Sequence, residues 1–248
     1  MRPGQCTRHG PWRWIPLVAL IPLLFDPPGA LAQAGSTTDT DLPAMIPIFP
    51  LPDVTLFPNV RRPFHVFEPR YRAMVADALE GDRIIGMVHL EPGYEADYQG
   101  RPPVYAVGCA GVIVSSERLP DGRYNIVLEG LTRFRIVSED ESRSYRLARV
   151  ESLEETLAAE DRPVLEERRR QLEEALSDLF PGADLPLSQL SDVEIVDELS
   201  LTLPLAPARR QELLEADGPL ARASQLIGIL RGSVQAARQA RTNGAPVE

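Results

Sequence analysis

Residues 64–75 read FHVFEPRYRAMV, and the fold turns on how this stretch is parsed. The aromatic run Phe64 to Phe67 has the look of a strand end. Beyond it Tyr71, Met74, Val75, Ala78 and Leu79 recur on one side at helical spacing. Pro69 suits a first helical position, where a missing N–H costs nothing, and Gly81 suits the C-terminal cap. Glu68 then stands at the helix entrance, where the dipole favours a carboxylate by a few tenths to about 1 kcal/mol. It could also hold a guanidinium, for which Arg70 and Arg72 are the candidates. The polar residues admit two readings. His65 and Glu68 could form an acid–base pair, but such chemistry needs a matched second group that one junction does not supply. The expectation is that they anchor a strand-to-helix junction by satisfying free backbone groups.

Working outward, residues 45–151 read as short strands with one helix. IPIFPLPDVTLFP, from Ile46 to Pro58, alternates apolar residues with prolines and suggests an edge or irregular opening strand. Further strands are expected over 62–67, 84–90, 104–115, 124–131, 133–137 and 145–150, with a turn at Pro120-Asp121-Gly122. The run 104–115 is apolar on both faces and so central, and Gly108 and Gly111 within it suggest a bulge or bend. Such a succession predicts a compact, mostly antiparallel barrel, with an α+β class overall.

After Glu151 the period changes to about 3.6. Val164, Leu165, Leu172, Leu176 and Leu179 form a stripe, and Arg168 to Arg170 read as a solvated face with i,i+4 partners. Ser191 and Glu194 have capping-box spacing, flanked by Leu190 and Ile195 at staple positions. Pro204 ends that helix, Pro207 opens another that stops at Gly218, and Pro219 begins the last, with Leu220, Ala223, Ile227, Leu230 and Val234 on one face. Residues 152–241 are thus expected to be helical, and 242–248 a loose tail.

The chain has 248 residues, 44% hydrophobic, with a formal charge of -10. That suffices for one large domain or two small ones, and the charge disfavours nucleic acid as a partner. All 26 cations are arginine. Without lysine there is no phosphate-loop Lys, no Ser-Lys dyad and no Schiff base, although genomic base composition alone can produce this bias. Cys6 and Cys109 lack zinc-ligand spacing, so neither metal nor cofactor is expected. Cys109, inside VYAVGCAGVIV, reads as a small buried hydrophobe. A hydrolase using His65 or His89 with a carboxylate such as Glu68 is the competing reading.

Residues 1–34 carry Arg2, Arg8 and Arg13, an apolar segment Ile15 to Phe25 too short to span a bilayer, and Ala30-Leu31-Ala32 and Ala32-Gln33-Ala34. This is the order of a secretory signal, with cleavage after Ala32 or Ala34, residues 35–44 as a linker, and a periplasmic or extracellular product. The alternative is translation from Met45 and a cytoplasmic protein.

IFPLPDVTLFPNVRRPFHVFEPRYRAMVADALEGDRIIGMV, followed by VGCAGVIV, DGRYNIVLEGLTRFRIV, YRLARVE and VDELSLTLPLAPARRQELLEA, resembles the substrate-binding (N-terminal) domain of the Lon proteases in free-standing form. The resemblance runs from about Met45 to Leu230. It implies a PUA-like barrel followed by a helical bundle, and the binding of unfolded or extended polypeptides, or of a protein partner. Glu68, Pro69, Arg70, Tyr71, Gly130, Arg133 and Phe134 match its signatures as markers of the fold, with no catalytic role attached. The ATPase and protease modules that follow this domain in Lon are not expected here, nor are their activities.

Overall fold

The computed structural model describes residues 42–94, 100–183, 185 and 187–242. The expected signal segment, most of the linker and the tail beyond Thr242 lie outside the described residues. Six strands come first: β1 (Met45–Leu51), β2 (Arg61–Val66), β3 (Ile84–His89), β4 (Val107–Arg118), β5 (Tyr124–Asp140) and β6 (Arg146–Leu153). Helix α1 (Pro69–Glu80) lies between β2 and β3. Four helices follow the strands: α2 (Arg162–Leu179), α3 (Asp192–Thr202), α4 (Pro207–Glu215) and α5 (Gly218–Thr242).

The sheet runs β2-β5-β4-β3-β1-β6, and β6 pairs back onto β5, so five strands close into a barrel and β2 is left outside the ring. Every pairing is antiparallel except β1 with β3. The closure depends on β5. Its first half, Tyr124 to Glu129, pairs with β2, and its second, Arg133 to Asp140, pairs with β6. Two expected strands, 124–131 and 133–137, are therefore one strand that changes partner midway. Gly130 sits at the change. Its N–H donates to the Val60 carbonyl and its own carbonyl accepts from Asn59 N, both at 2.9 Å. A Cβ at Gly130 would lie 1.9 Å from the Phe57 carbonyl oxygen, so the crossing is possible only without a side chain. A register shift opposite Ala110 and Gly111 marks the same waist, at one of the two glycines where a bulge or bend was expected.

β1 is a second departure: it is not an edge strand. It pairs with β6 over Met45 to Ile48 and with β3 over Ile48 to Leu51. Because these ladders are staggered, Pro47 and Pro50 each have a partner strand on one side only, and the missing N–H is tolerated.

The barrel interior is filled by Ile46, Ile48, Val88, Ala110, Phe134, Ala148 and Val150. The Phe134 ring occupies the space that Cβ atoms at Gly86 and Gly108 would need. A larger core joins the outer barrel face to the helices, from Phe49, Leu56 and Phe57 through Tyr71, Met74 and Val75 of α1 to Leu172, Ile195, Leu199, Leu213, Leu226 and Leu230. Each such side chain contributes about 1.5–3 kcal/mol of burial. Helix α1 starts at Pro69, as expected. At its end Gly81 is the cap, as expected, with its N–H donating to Ala78 O (3.1 Å), while the left-handed residue is Arg83 (φ 62°) and not Gly81 (φ -111°). Arg83 is held there by its N–H to Ala78 O (2.9 Å) and its side chain to Ile113 O (3.0 Å). On α2 the buried stripe is Leu165, Leu172, Ala175 and Leu176, while Val164 is exposed. The capping box of α3 forms, with Ser191 N to Glu194 Oε2 at 2.7 Å. Arg170 is a solvated pair-former, whereas Arg169 reaches Leu187 O, Leu190 O and Asp192 and ties α2 to the start of α3.

Between barrel and helices lies a buried cluster of four charges. Arg133 of β5 pairs with Glu155 and donates to Leu214 O (3.0 Å) and Ala216 O (2.7 Å). Arg222 of α5, fully buried, pairs with Glu155 and with Asp197 of α3 and donates to Leu213 O (3.1 Å). Asn59 completes the Asp197 carboxylate at 2.9 Å. Burial and the Glu155 charge push the Asp197 carboxyl up, to about 7, against the pull of Arg222 and Asn59. Arg222→Met leaves two carboxylates facing one guanidinium and is expected to cost about 3–5 kcal/mol in denaturant unfolding. The double variant Asp197→Leu/Arg222→Met should recover at least half of that loss. Additive losses would mean that the pair is not coupled.

Candidate functional site

An apolar groove of about 410 Å³ opens where β2 meets α1, lined by Phe49, Leu51, Pro52, Phe64, His65, Val66, Phe67, Glu68 and Tyr71. The stretch that decides the fold thus forms one wall, and the end of β1 forms the other. The local sequence explains the shape. Pro69 turns the chain into α1, so Phe67 is stranded at the lip and remains 61% exposed. Phe49 packs on Tyr71 with ring centroids 4.4 Å apart and on Phe64 at 6.2 Å, giving the groove an aromatic floor.

The polar groups at the lip are engaged with one another. Arg70 Nε donates to Glu68 Oε2 at 3.1 Å, and its guanidinium lies 4.5 Å from the Tyr71 ring centroid. His65 Nε2 accepts from Arg123 Nη1 (3.1 Å), which leaves Nδ1 to donate to Asn125 Oδ1 (2.8 Å). Asn125 in turn donates to Glu117, and Arg123 pairs with Asp121. The other candidate histidine is elsewhere. His89 is buried on β3, with Nε2 2.7 Å from Thr55 Oγ1. Burial, then the charge of Arg210, pushes it down to about 4. The Cys109 thiol is fully buried and pushed well up by that burial, with Asp197 and Glu155 adding to the effect, which makes it a poor nucleophile. Among the described residues no group of three or more His, Cys, Asp or Glu is placed to hold a metal.

Of the seven residues expected as markers of the fold, Glu68 and Tyr71 line the groove, with Pro69 and Arg70 between them in the first turn of α1. The other three are dispersed, Gly130 at the strand crossing, Arg133 in the charge cluster and Phe134 inside the barrel. Sequence reasoning missed the opposite wall of Phe49, Leu51 and Pro52. Phe67, expected as the last residue of a strand over 62–67, falls just outside both β2 and α1.

A six-stranded mixed sheet, five of whose strands close into a barrel, with a helical bundle packed on it, is the fold of the N-terminal domains of Lon proteases. Residues 45–232 match the family described as the ATP-dependent protease La (LON) substrate-binding domain, and the chain belongs to that family. It is 31% identical over 134 residues to Lon protease 2 of Myxococcus xanthus, covering 54% of this chain and 16% of that protein. It is 26% identical over 199 residues to the Lon protease of Anaeromyxobacter dehalogenans, covering 77% and 23%. The chain therefore spans less than a quarter of these relatives. Among solved structures it is similar to a Lon N-terminal domain protein from Xanthomonas campestris, with a TM-score of 0.52 and 23% identity over 74% of this chain and 97% of that one. The N-terminal domain of the Mycobacterium avium complex Lon protease aligns with a TM-score of 0.58 and 19% identity over 75% and 98%.

The buried imidazole makes stability depend on pH. The folded protein holds His89 neutral down to about pH 4, whereas an unfolded chain protonates it near 6.5. Its contribution is therefore complete above 6.5 and is lost as pH falls toward 4, by at most about 3 kcal/mol. His89→Gln should remove this rise of stability with pH and leave the opposite trend from Asp197, whose raised carboxyl loses stability as pH rises through the same window. An unchanged slope would exclude His89 as its source.

Proposed function

We propose that the chain is a non-enzymatic module that holds extended, apolar polypeptide segments in the groove beside β2, in the manner of an adaptor or quality-control factor. The observation that carries this reading is the coincidence of the groove with an open strand edge. Among the described residues β2 has one neighbour, β5. Pro63 pairs in register with Val127 yet has no N–H to give, so in an alternating antiparallel ladder it faces away from β5. Arg61 and His65, two residues to either side, face away with it. The bond from Gly130 N to Val60 O fixes the same alternation. The outer edge of β2 thus presents the backbone groups of Arg61 and His65 and the Pro63 carbonyl. An added strand can bond to these while its side chains enter the apolar groove. A folded client has most of its backbone groups paired and its apolar side chains scattered, and so offers few extended apolar segments. The formal charge of -10 disfavours nucleic acid in this role.

A reduced, carboxymethylated protein is a suitable unfolded client. It should bind the wild type, its native form should not, and Phe67→Ser should weaken binding about tenfold or more with the unfolding midpoint unchanged. Equal retention of native and unfolded client, or full binding by the variant, would overturn the reading.

Export is the second part of the proposal, supported by the order of Arg2 to Arg13, Ile15 to Phe25 and Ala30 to Ala34. The intact mass of the protein from its natural source should place the N-terminus at Gln33 or Gly35. A chain that begins at Met45 would remove this part and leave the binding module standing.

A further inference from the structure

We propose that the groove ends in a carboxylate anchor made by Arg62 and Arg210, and that the segment it holds carries an Asp or Glu side chain two residues beyond an apolar one. This rests on the polypeptide-binding reading above and adds a selectivity to it. Along β2 the residues alternate, with Arg61, Pro63 and His65 exposed and Arg62, Phe64 and Val66 turned inward. Phe64 and Val66 line the groove. Arg62 is the next side chain in that row, about 7 Å further along the strand. The opposite wall leads to the same place, because Leu51 and Pro52 run on through Asp53 to Thr55, whose carbonyl accepts from Arg62 Nη1 at 3.1 Å.

Arg210 approaches from α4. Its Nη2 donates to Leu203 O at 3.3 Å, and its Nε is buried with no hydrogen-bond partner. The positive charges of both arginines bear on His89, and that of Arg210 also bears on Arg62, which it and burial together push down. Among the described residues neither guanidinium lies within ion-pair distance of a carboxylate. Asp53, the carboxylate of the intervening loop, acts on His89 but forms no such pair with either. The contrast with Arg133 and Arg222 is direct: there the fold supplies Glu155 and Asp197, and here it supplies carbonyl oxygens alone. Two like charges, both partly withdrawn from water and each bonded to a carbonyl oxygen, are relieved by an anion from outside, and a carboxylate matches the planar donor fork of arginine.

The geometry also assigns the source of that carboxylate. A strand lying along the β2 edge passes Arg62 on its way to the backbone groups of Arg61, so it continues beyond the anchor. The carboxylate therefore belongs to a side chain and not to a chain end. In antiparallel addition the residue opposite Val66 comes first, then that opposite Phe64, then that opposite Arg62, which gives the pattern Val-Thr-Phe-Thr-Glu.

The test is a fluorescence-anisotropy titration of the full chain with labelled, C-terminally amidated peptides built around Val-Thr-Phe-Thr-Glu and Val-Thr-Phe-Thr-Gln. The Glu peptide should bind at least about tenfold more tightly. Arg62→Gln and Arg210→Gln should each erase the difference while leaving the Gln peptide unaffected. If Arg210→Gln fails to fold, Arg62→Gln decides alone. Equal affinity of the two peptides overturns the anchor but leaves the groove as a polypeptide site. Binding of neither overturns both. A third peptide, whose sole carboxylate is a free C-terminus at the Glu position, overturns the side-chain assignment if it binds more tightly than the Glu peptide.

Discussion

Four charged groups largely withdrawn from solvent determine how the two halves of this molecule sit together. Arg133 belongs to the barrel, Glu155 to the connection that leaves it, Asp197 and Arg222 to the helices, and Asn59 to the loop ahead of β2. Charge is balanced within the cluster, and the guanidiniums use their remaining donors on the carbonyls of Leu213, Leu214 and Ala216 at the end of α4. Apolar contact alone would let helices slide across a barrel. Directional bonds from five separate segments fix one docking and forbid its neighbours, since a shift of even one helical turn would strand a buried ion.

That docking also determines the character of the edge. Because α4 is fixed against β4, with Gln211 bonded to the Val107 carbonyl at 3.1 Å, Arg210 is carried toward Arg62 and His89. Because Gly130 lets the chain at Phe57 cross β5, β2 is displaced from the ring and, among the described residues, pairs on one side only. Groove, open edge and paired arginines are therefore by-products of features that belong to the scaffold. None of Gly130, Arg133 and Phe134, which hold the crossing, the charge cluster and the barrel interior, lines the groove.

Much of the scaffold was legible in the residues. The helix from Pro69, the capping box at Ser191 and Glu194, the turn at Asp121-Gly122 and the breaks at Pro204 and Pro207 are local signals, and local geometry follows them. Non-local features escaped. Nothing near Pro47 or Pro50 reveals that the ladders on either side of β1 are staggered, and nothing near Gly130 says which strand lies on each half of β5. The charge cluster left a fainter trace. Arg222 falls in the same helical row as Leu226 and Leu230, and Asp197 stands among Ile195, Val196 and Leu199, so each is an ion at a core position. Such a residue announces a partner without naming it. The groove was half visible, since its second wall is brought in by β1 from outside the motif.

The pairing of β1 has a consequence for the order in which the chain can organise itself. Met45 is matched with Arg149, and the ring stays open until β6 exists. Arg222, further on still, is needed before the carboxylates of Asp197 and Glu155 can be buried together. Contacts of such long sequence separation form slowly and late. A chain emerging from the ribosome or from a membrane pore would thus remain pliable along most of its length. It would acquire its final shape almost at once, when the last helix arrives.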